Sequence, residues 1–174
     1  MQNDLTWSYW VDGLLGTGHF VCALGALVLG PIVLWRRKGD RLHRWLGRIW
    51  AVMMSVVIIS ALSMYEMTGR PNLFHAFAVV SLVTLICALW AIWSYKKTRE
   101  PSRLITHQYC MVWAYFGLLM AGVWQLAFTF VSAGVFEINI GMLYNVLGAM
   151  TFAASIATNI ILRRVYPVRP KAKP

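Results

Sequence analysis

Acidic side chains are scarce in this chain. Asp and Glu together number six in 174 residues, and all charged residues make up 13%, about half the ~25% of a soluble domain. So little charge cannot cover a water-facing surface, which excludes a soluble globular domain. With 59% apolar residues the chain is no disordered tail either. Cysteine is rare too: Cys22, Cys87 and Cys110 all fall inside apolar runs, which excludes a secreted disulfide scaffold. The sequence contains no P-loop, no GxSxG, no HExxH and no pair of carboxylates within an apolar run. An intramembrane acid is the usual mark of a proton-coupled pump or transporter, and none is present.

What the chain has is hydrophobic length; its mean hydropathy is +0.61. A ~30 Å hydrocarbon core needs about twenty helical residues. Five runs meet that length: 14–35, 45–65, 73–95, 105–131 and 138–162. The expected fold is an all-α integral membrane protein, a five-span helix bundle whose first four helices form a four-helix core. Short connections should make sequence neighbours antiparallel. Residues 1–166 read as a single transmembrane helical domain. Residues 167–174 read as a disordered basic cytoplasmic tail. The face Gly141, Asn145, Gly148, Phe152, Ser155, Asn159 of the last span is expected to pack on the bundle.

The net charge of +10 comes from 16 basic residues, and their positions decide its meaning. Fifteen lie in the segment 36–48, in the segment 96–103 or after residue 162; only Arg70 falls on the other side. Asp4, Asp12, Glu66 and Glu137 lie opposite the bases, against Asp40 and Glu100 with them. The positive-inside rule then puts the N-terminus outside and the C-terminus in the cytoplasm, as an odd number of spans requires. The charge is a topology signal with affinity for the lipid bilayer, and no nucleic-acid partner is expected. Trp7 and Trp10 on one side, and Trp35, Trp45, Trp90 and Trp93 on the other, fit an aromatic belt. The first twelve residues carry no Lys or Arg, so no removable signal peptide is expected. The implied location is the bacterial cytoplasmic (inner) membrane, multi-pass.

The histidines carry the functional signal. There are four, one on each of the first four spans: His19, His43, His75 and His107. His19 and His75 belong to the outer side, His43 and His107 to the inner side. In a four-helix arrangement the first and third spans are diagonal, as are the second and fourth. Two imidazoles facing across a bundle supply both axial ligands of a b-type haem. The expectation is therefore two haems b, with His19 and His75 on the outer iron and His43 and His107 on the inner. Arg44 and Arg48, beside His43, and Arg70, before His75, are placed to meet haem propionates. Small residues share the ligand faces: Ala23, Ala26 and Gly30 with His19, and Cys110, Ala114, Gly117 and Ala121, with Gln125 beyond them, with His107. They leave room for a flat macrocycle, although the default role of such faces is helix packing. The pairs His19-x-x-Cys22 and His107-x-x-Cys110 look like halves of a zinc or copper site, but the topology sets them on opposite sides.

Four pieces also carry a resemblance. They are His-Phe-Val-Cys-Ala-Leu-Gly-Ala-Leu-Val-Leu-Gly-Pro from His19, Leu-His-Arg-Trp-Leu-Gly-Arg-Ile-Trp from Leu42, Phe-His-Ala-Phe-Ala-Val-Val-Ser-Leu-Val-Thr-Leu from Phe74, and His-Gln-Tyr-Cys-Met-Val-Trp-Ala-Tyr from His107. They resemble a family of bacterial multi-spanning membrane proteins, a predicted-membrane-protein domain of unknown function, over residues 18–122. The resemblance implies a membrane fold and brings no activity. The family pattern commonly has His-Arg-Arg at the fourth piece; here Gln108 and Tyr109 follow His107, which removes a cation. In architecture alone the pattern is similar to two-haem b-type membrane cytochromes. The functional expectation is a two-haem b-type cytochrome carrying electrons across the cytoplasmic membrane, to or from quinone. The alternative is a non-catalytic membrane scaffold, or a subunit among other membrane subunits, with its histidines used only in packing.

Overall fold

The structure is a computed structural model that describes residues 13–63, 73–135 and 138–165. Arg70 and the C-terminal tail lie outside the described residues. Five helices account for nearly all of them: α1 (Gly13–Trp35), α2 (Arg41–Ser63), α3 (Leu73–Thr98), α4 (Pro101–Ser132) and α5 (Ile140–Val165). All five are long and apolar enough to cross a membrane. Such helices satisfy their own backbone hydrogen bonds, which hydrocarbon demands.

The helix starts follow local chemistry. Gly39 turns the chain at φ 87°. The Asp40 carboxylate accepts a hydrogen bond from the His43 backbone N–H at 2.5 Å, as an N-cap does. It also pairs with Arg36 at 2.9 Å. These contacts begin α2 at Arg41, four residues before the apolar run, so His43 sits in its first turn. Between α3 and α4 only Arg99 and Glu100 intervene. Pro101 opens α4 at a position where its missing N–H costs nothing.

The first four helices close a ring: α1 packs on α2, α2 on α3, α3 on α4 and α4 on α1. Among the described residues, the diagonal helices α1 and α3 make no close approach, nor do α2 and α4. The shared core holds Ala26, Trp50, Met54, Ile58, Leu85, Ala88, Ala114 and Leu118. The Trp50 indole N–H donates to the Ala26 carbonyl at 2.9 Å, which ties α2 to α1. α5 packs on α4 alone among the helices.

Small residues set the closest approaches at mid-depth. A Cβ on Gly30 would collide with the Tyr115 ring, and one on Gly117 with the Ser81 hydroxyl. These glycines are therefore filled by side chains of the neighbouring helix. Pro31 stands inside α1. Having no N–H, it leaves the Leu27 carbonyl without its helical donor. The Tyr115 hydroxyl donates to that carbonyl at 3.1 Å.

The packing face of α5 differs from expectation. Leu143, Leu147 and Leu162 are buried, whereas Asn145 is exposed and Phe152 is 68% exposed. Aromatic contact with α4 sets this rotation. Tyr144 packs edge-on to Trp124 and Phe128, with ring centroids 5.5 and 5.3 Å away, and the Trp124 N–H donates to the Thr151 hydroxyl at 2.9 Å. At the other end of the bundle the basic residues sit on exposed tryptophans. Lys97 lies 3.7 Å from the Trp93 ring centroid and Arg103 4.7 Å from that of Trp90, the arrangement of an interfacial belt.

Candidate functional site

Two levels of the ring carry imidazoles, one near each end. The end with Arg36–Arg48, Lys96–Arg103, Arg163 and Arg164 is termed the basic end, and the opposite one the far end.

At the far end, His19 of α1 is fixed to α2. Its Nδ1 lies 2.7 Å from the Ser60 hydroxyl oxygen. Ser60 is buried and gives its own proton to the Val56 carbonyl at 2.6 Å, with Val57 O at 3.0 Å. With that proton on the Val56 carbonyl the hydroxyl accepts from the ring and Nδ1 carries the hydrogen; turned toward the ring, the same hydroxyl donates to Nδ1. His75 is buried in the first turn of α3, next to Phe74, which meets Phe128 of α4 at 6.2 Å between centroids.

A fourth polar group belongs to this level. Gly30 of α1 receives the Tyr115 ring of α4. Eleven residues back from Gly30 is His19 and ten on from Tyr115 is Gln125, rises of about 16 and 15 Å. Gln125 is half-buried and continues the face of Ala114 and Leu118. The far-end level thus draws His19, Ser60, His75 and Gln125 from four different helices.

At the basic end, His107 of α4 is fixed to α3. Its Nδ1 donates to the Ala88 carbonyl at 2.9 Å; a carbonyl only accepts, so Nε2 keeps the lone pair. The Nδ1 of His43 is buried with no hydrogen-bond partner among the described residues. Of the flanking cations, Arg44 is exposed and donates to the Gly39 carbonyl at 2.7 Å. Arg48 is exposed with its guanidinium 5.9 Å from the Trp45 ring centroid. Asp40, which starts this helix, has its carboxyl held below the usual carboxylate range by the His43 N–H and then by the Arg36 side chain.

From His43 to Ser60 along α2 is seventeen residues, or about 25 Å. Between the two levels the bundle is filled by Trp50, Met54 and Tyr115. Among the described residues no group of three or more His, Cys, Asp or Glu side chains is assembled to hold a metal ion.

Sequence reasoning named the four histidines and missed the groups that orient them. Ser60 is one of several serines in the spans, and only the α1–α2 packing brings it to a residue 41 positions away. The Ala88 carbonyl has no sequence signal at all. Depth counting finds Gln125 only once the contact of Gly30 with Tyr115 aligns α1 with α4.

The family model described as a predicted membrane protein (DUF2306) matches residues 16–163, which span all five helices and both levels of imidazoles. The chain belongs to the DUF2306 family. No curated protein and no solved structure matches it. The match to the DUF2306 model includes His19, His43, Ser60, His75, His107, Tyr115 and Gln125, so all of these belong to the family domain. This DUF2306 protein is a multi-pass membrane protein.

Proposed function

We propose that this protein is a two-haem b-type electron carrier of the bacterial cytoplasmic membrane, with its N-terminus outside. The observation that carries the reading is the state of His19 and His107. Each belongs to a different diagonal pair and has Nδ1 held by a fixed partner, the Ser60 hydroxyl or the Ala88 carbonyl; with Nδ1 as the donor, Nε2 keeps the lone pair that an axial ligand needs. Ligating histidines commonly donate their other ring N–H in this way, which fixes the tautomer and raises ligand basicity. The donor set thus fits bis-imidazole iron. On this reading His19 and His75 hold the outer haem, and His43 and His107 the inner. Arg44, Arg48 and Arg70 supply cations toward the propionates; Arg44 would exchange its present contact with Gly39 for that role.

Bound haem supplies one-electron redox chemistry. The chain's own residues do the rest. Ser60 and the Ala88 carbonyl hold two imidazoles in orientation. Trp50, Met54 and Tyr115 keep the middle layer packed and exclude water between the levels. The dry surroundings disfavour a change in charge, so the axial ligands and their hydrogen bonds set the potential. A membrane quinone is the partner that suits such a carrier, because it is the redox couple soluble in the hydrocarbon that surrounds the helices.

The test is a visible spectrum of the purified protein, expressed with ample haem, before and after reduction, together with haem counting. The reading expects a Soret band, a sharp α-band and two haems per chain. His19→Ala and His75→Ala should damage one haem, and His43→Ala and His107→Ala the other, with losses far from additive within a pair and near additive between pairs. A colourless, well-folded preparation overturns the reading and leaves the histidines to packing, in a scaffold or complex subunit.

A further inference from the structure

We propose that the protein is a homodimer whose two copies meet through the outward face of α5, joined by a reciprocal hydrogen bond between their Asn145 side chains. The proposal is independent of haem.

α5 stands outside the four-helix ring and is held by α4 alone among the helices. Leu143 and Leu147 face inward. At 100° per residue, Asn145 lies roughly 160° around the helix from each of them, and it is exposed. Among the described residues its amide takes part in no hydrogen bond. The other asparagine within α5, Asn159, behaves differently: its side-chain oxygen accepts from Arg163 at 3.2 Å. Asn145 is five residues into the helix, about 8 Å along its axis, beyond Ile140, Met142 and Leu143. Asn is too short to snorkel from there to the headgroups, and lipid tails offer it neither a donor nor an acceptor.

The partner is a second copy for two physical reasons. A primary amide both donates and accepts, so two amides related by a twofold axis satisfy each other. The depth must also match. All copies insert in one orientation, set by the same basic loops, and an identical helix brings its amide to the same depth without further adjustment. The twofold axis then runs along the membrane normal and the two α5 helices are parallel. Gly141 and Ala149, one turn before and after Asn145, are both exposed and allow the backbones the close approach that a short amide bridge needs. Phe152 on the same face is 68% exposed and gains apolar contact in the dimer.

The experiment uses the full chain in lipid vesicles, as two separately labelled pools, with energy transfer read as the protein-to-lipid ratio falls. Wild type should follow a monomer–dimer curve. Asn145→Leu should shift the midpoint roughly tenfold toward monomer, while Asn145→Gln, which keeps the amide, should stay near wild type. Leucine in this lipid-facing position does not endanger the fold, and unchanged helicity checks that. In native membranes, Ala149→Cys, which keeps the Asn145 amide and lies one turn on along the same face, should give a dimer band with a short bismaleimide above the background of Cys22, Cys87 and Cys110. Met150→Cys, 58% exposed but about 140° around the helix from Asn145, should not. A wild type that is monomeric at every ratio, or an Asn145→Leu variant that dimerises like wild type, overturns the proposal.

Discussion

Pro31 and Tyr115 show how one residue's defect becomes another's position. Pro31 frees the Leu27 carbonyl, Gly30 clears the space, and the Tyr115 hydroxyl fills both needs. A carbonyl left without a donor in hydrocarbon is expensive, so Tyr115→Phe should cost about 1–3 kcal/mol. Pro31→Ala restores a backbone N–H for the same carbonyl, so Tyr115→Phe made in that background should cost much less. A double-mutant cycle on thermal unfolding in detergent measures the coupling, and equal costs in the two backgrounds would show that the hydroxyl bond is not what holds Tyr115. Gly30→Ala acts by a different route. It drives a methyl into the ring, and about 1–3 kcal/mol of overpacking is expected. Ser60 tests the site itself: Ser60→Ala removes the hydroxyl that orients His19. On the haem reading it should shift the midpoint potential of one haem and leave the other in place, as read by potentiometric titration.

At the scale of elements, α2 and α5 are held in opposite ways. α2 is a member of the ring, packed on α1 and α3, and begins at a capped turn outside the apolar run. Because the Asp40 carboxyl titrates below its ordinary range in the folded protein, the unfolded chain binds its proton more readily. The stabilisation is therefore complete above the ordinary carboxylate range and is lost as pH falls through the lowered value. The protection of the His43 amide, its exchange relative to an unstructured amide at the same pH, followed from pH 7 to pH 3, should fall at the acid end in wild type. In Asp40→Asn, which keeps a capping oxygen but cannot titrate, that pH dependence should vanish. α5 rests instead on an aromatic seam, Trp124, Phe128 and Tyr144, with one hydrogen bond from Trp124 to Thr151. Trp124→Leu should loosen α5 while leaving the ring intact. Limited proteolysis should then cut within the 133–140 connection first.

For the whole molecule, the asymmetry of charge sets direction. A reporter fused after Pro174 should be cytoplasmic, and one placed before Met1 periplasmic. Finding both termini on one side would mean that α5 does not cross. The ring order has a consequence of its own. Because, among the described residues, α1 and α3 do not touch, nor do α2 and α4, each proposed pair comes from two helices that face each other only across the diagonal, as the haem proposal requires.

Five apolar runs of sufficient length made the fold class legible from sequence, because hydrocarbon thickness converts directly into a residue count. The charge split made the basic end equally legible, since both describe the chain's relation to the bilayer and neither depends on packing. Which helices touch, and at what rotation, is a property of side-chain shape in three dimensions. Asn145 and Phe152 look like members of a packing stripe along the chain, yet the edge-on packing of Tyr144 against Trp124 and Phe128 turns them outward. Gly30 and Gly117 look like room for a flat ligand, yet Tyr115 and Ser81 occupy them. The histidines were visible as residues, but the orientations of their rings were not. Those depend on a serine 41 residues from His19 and a carbonyl 19 residues from His107, and only the packing of α1 on α2 and of α3 on α4 brings them within hydrogen-bond distance.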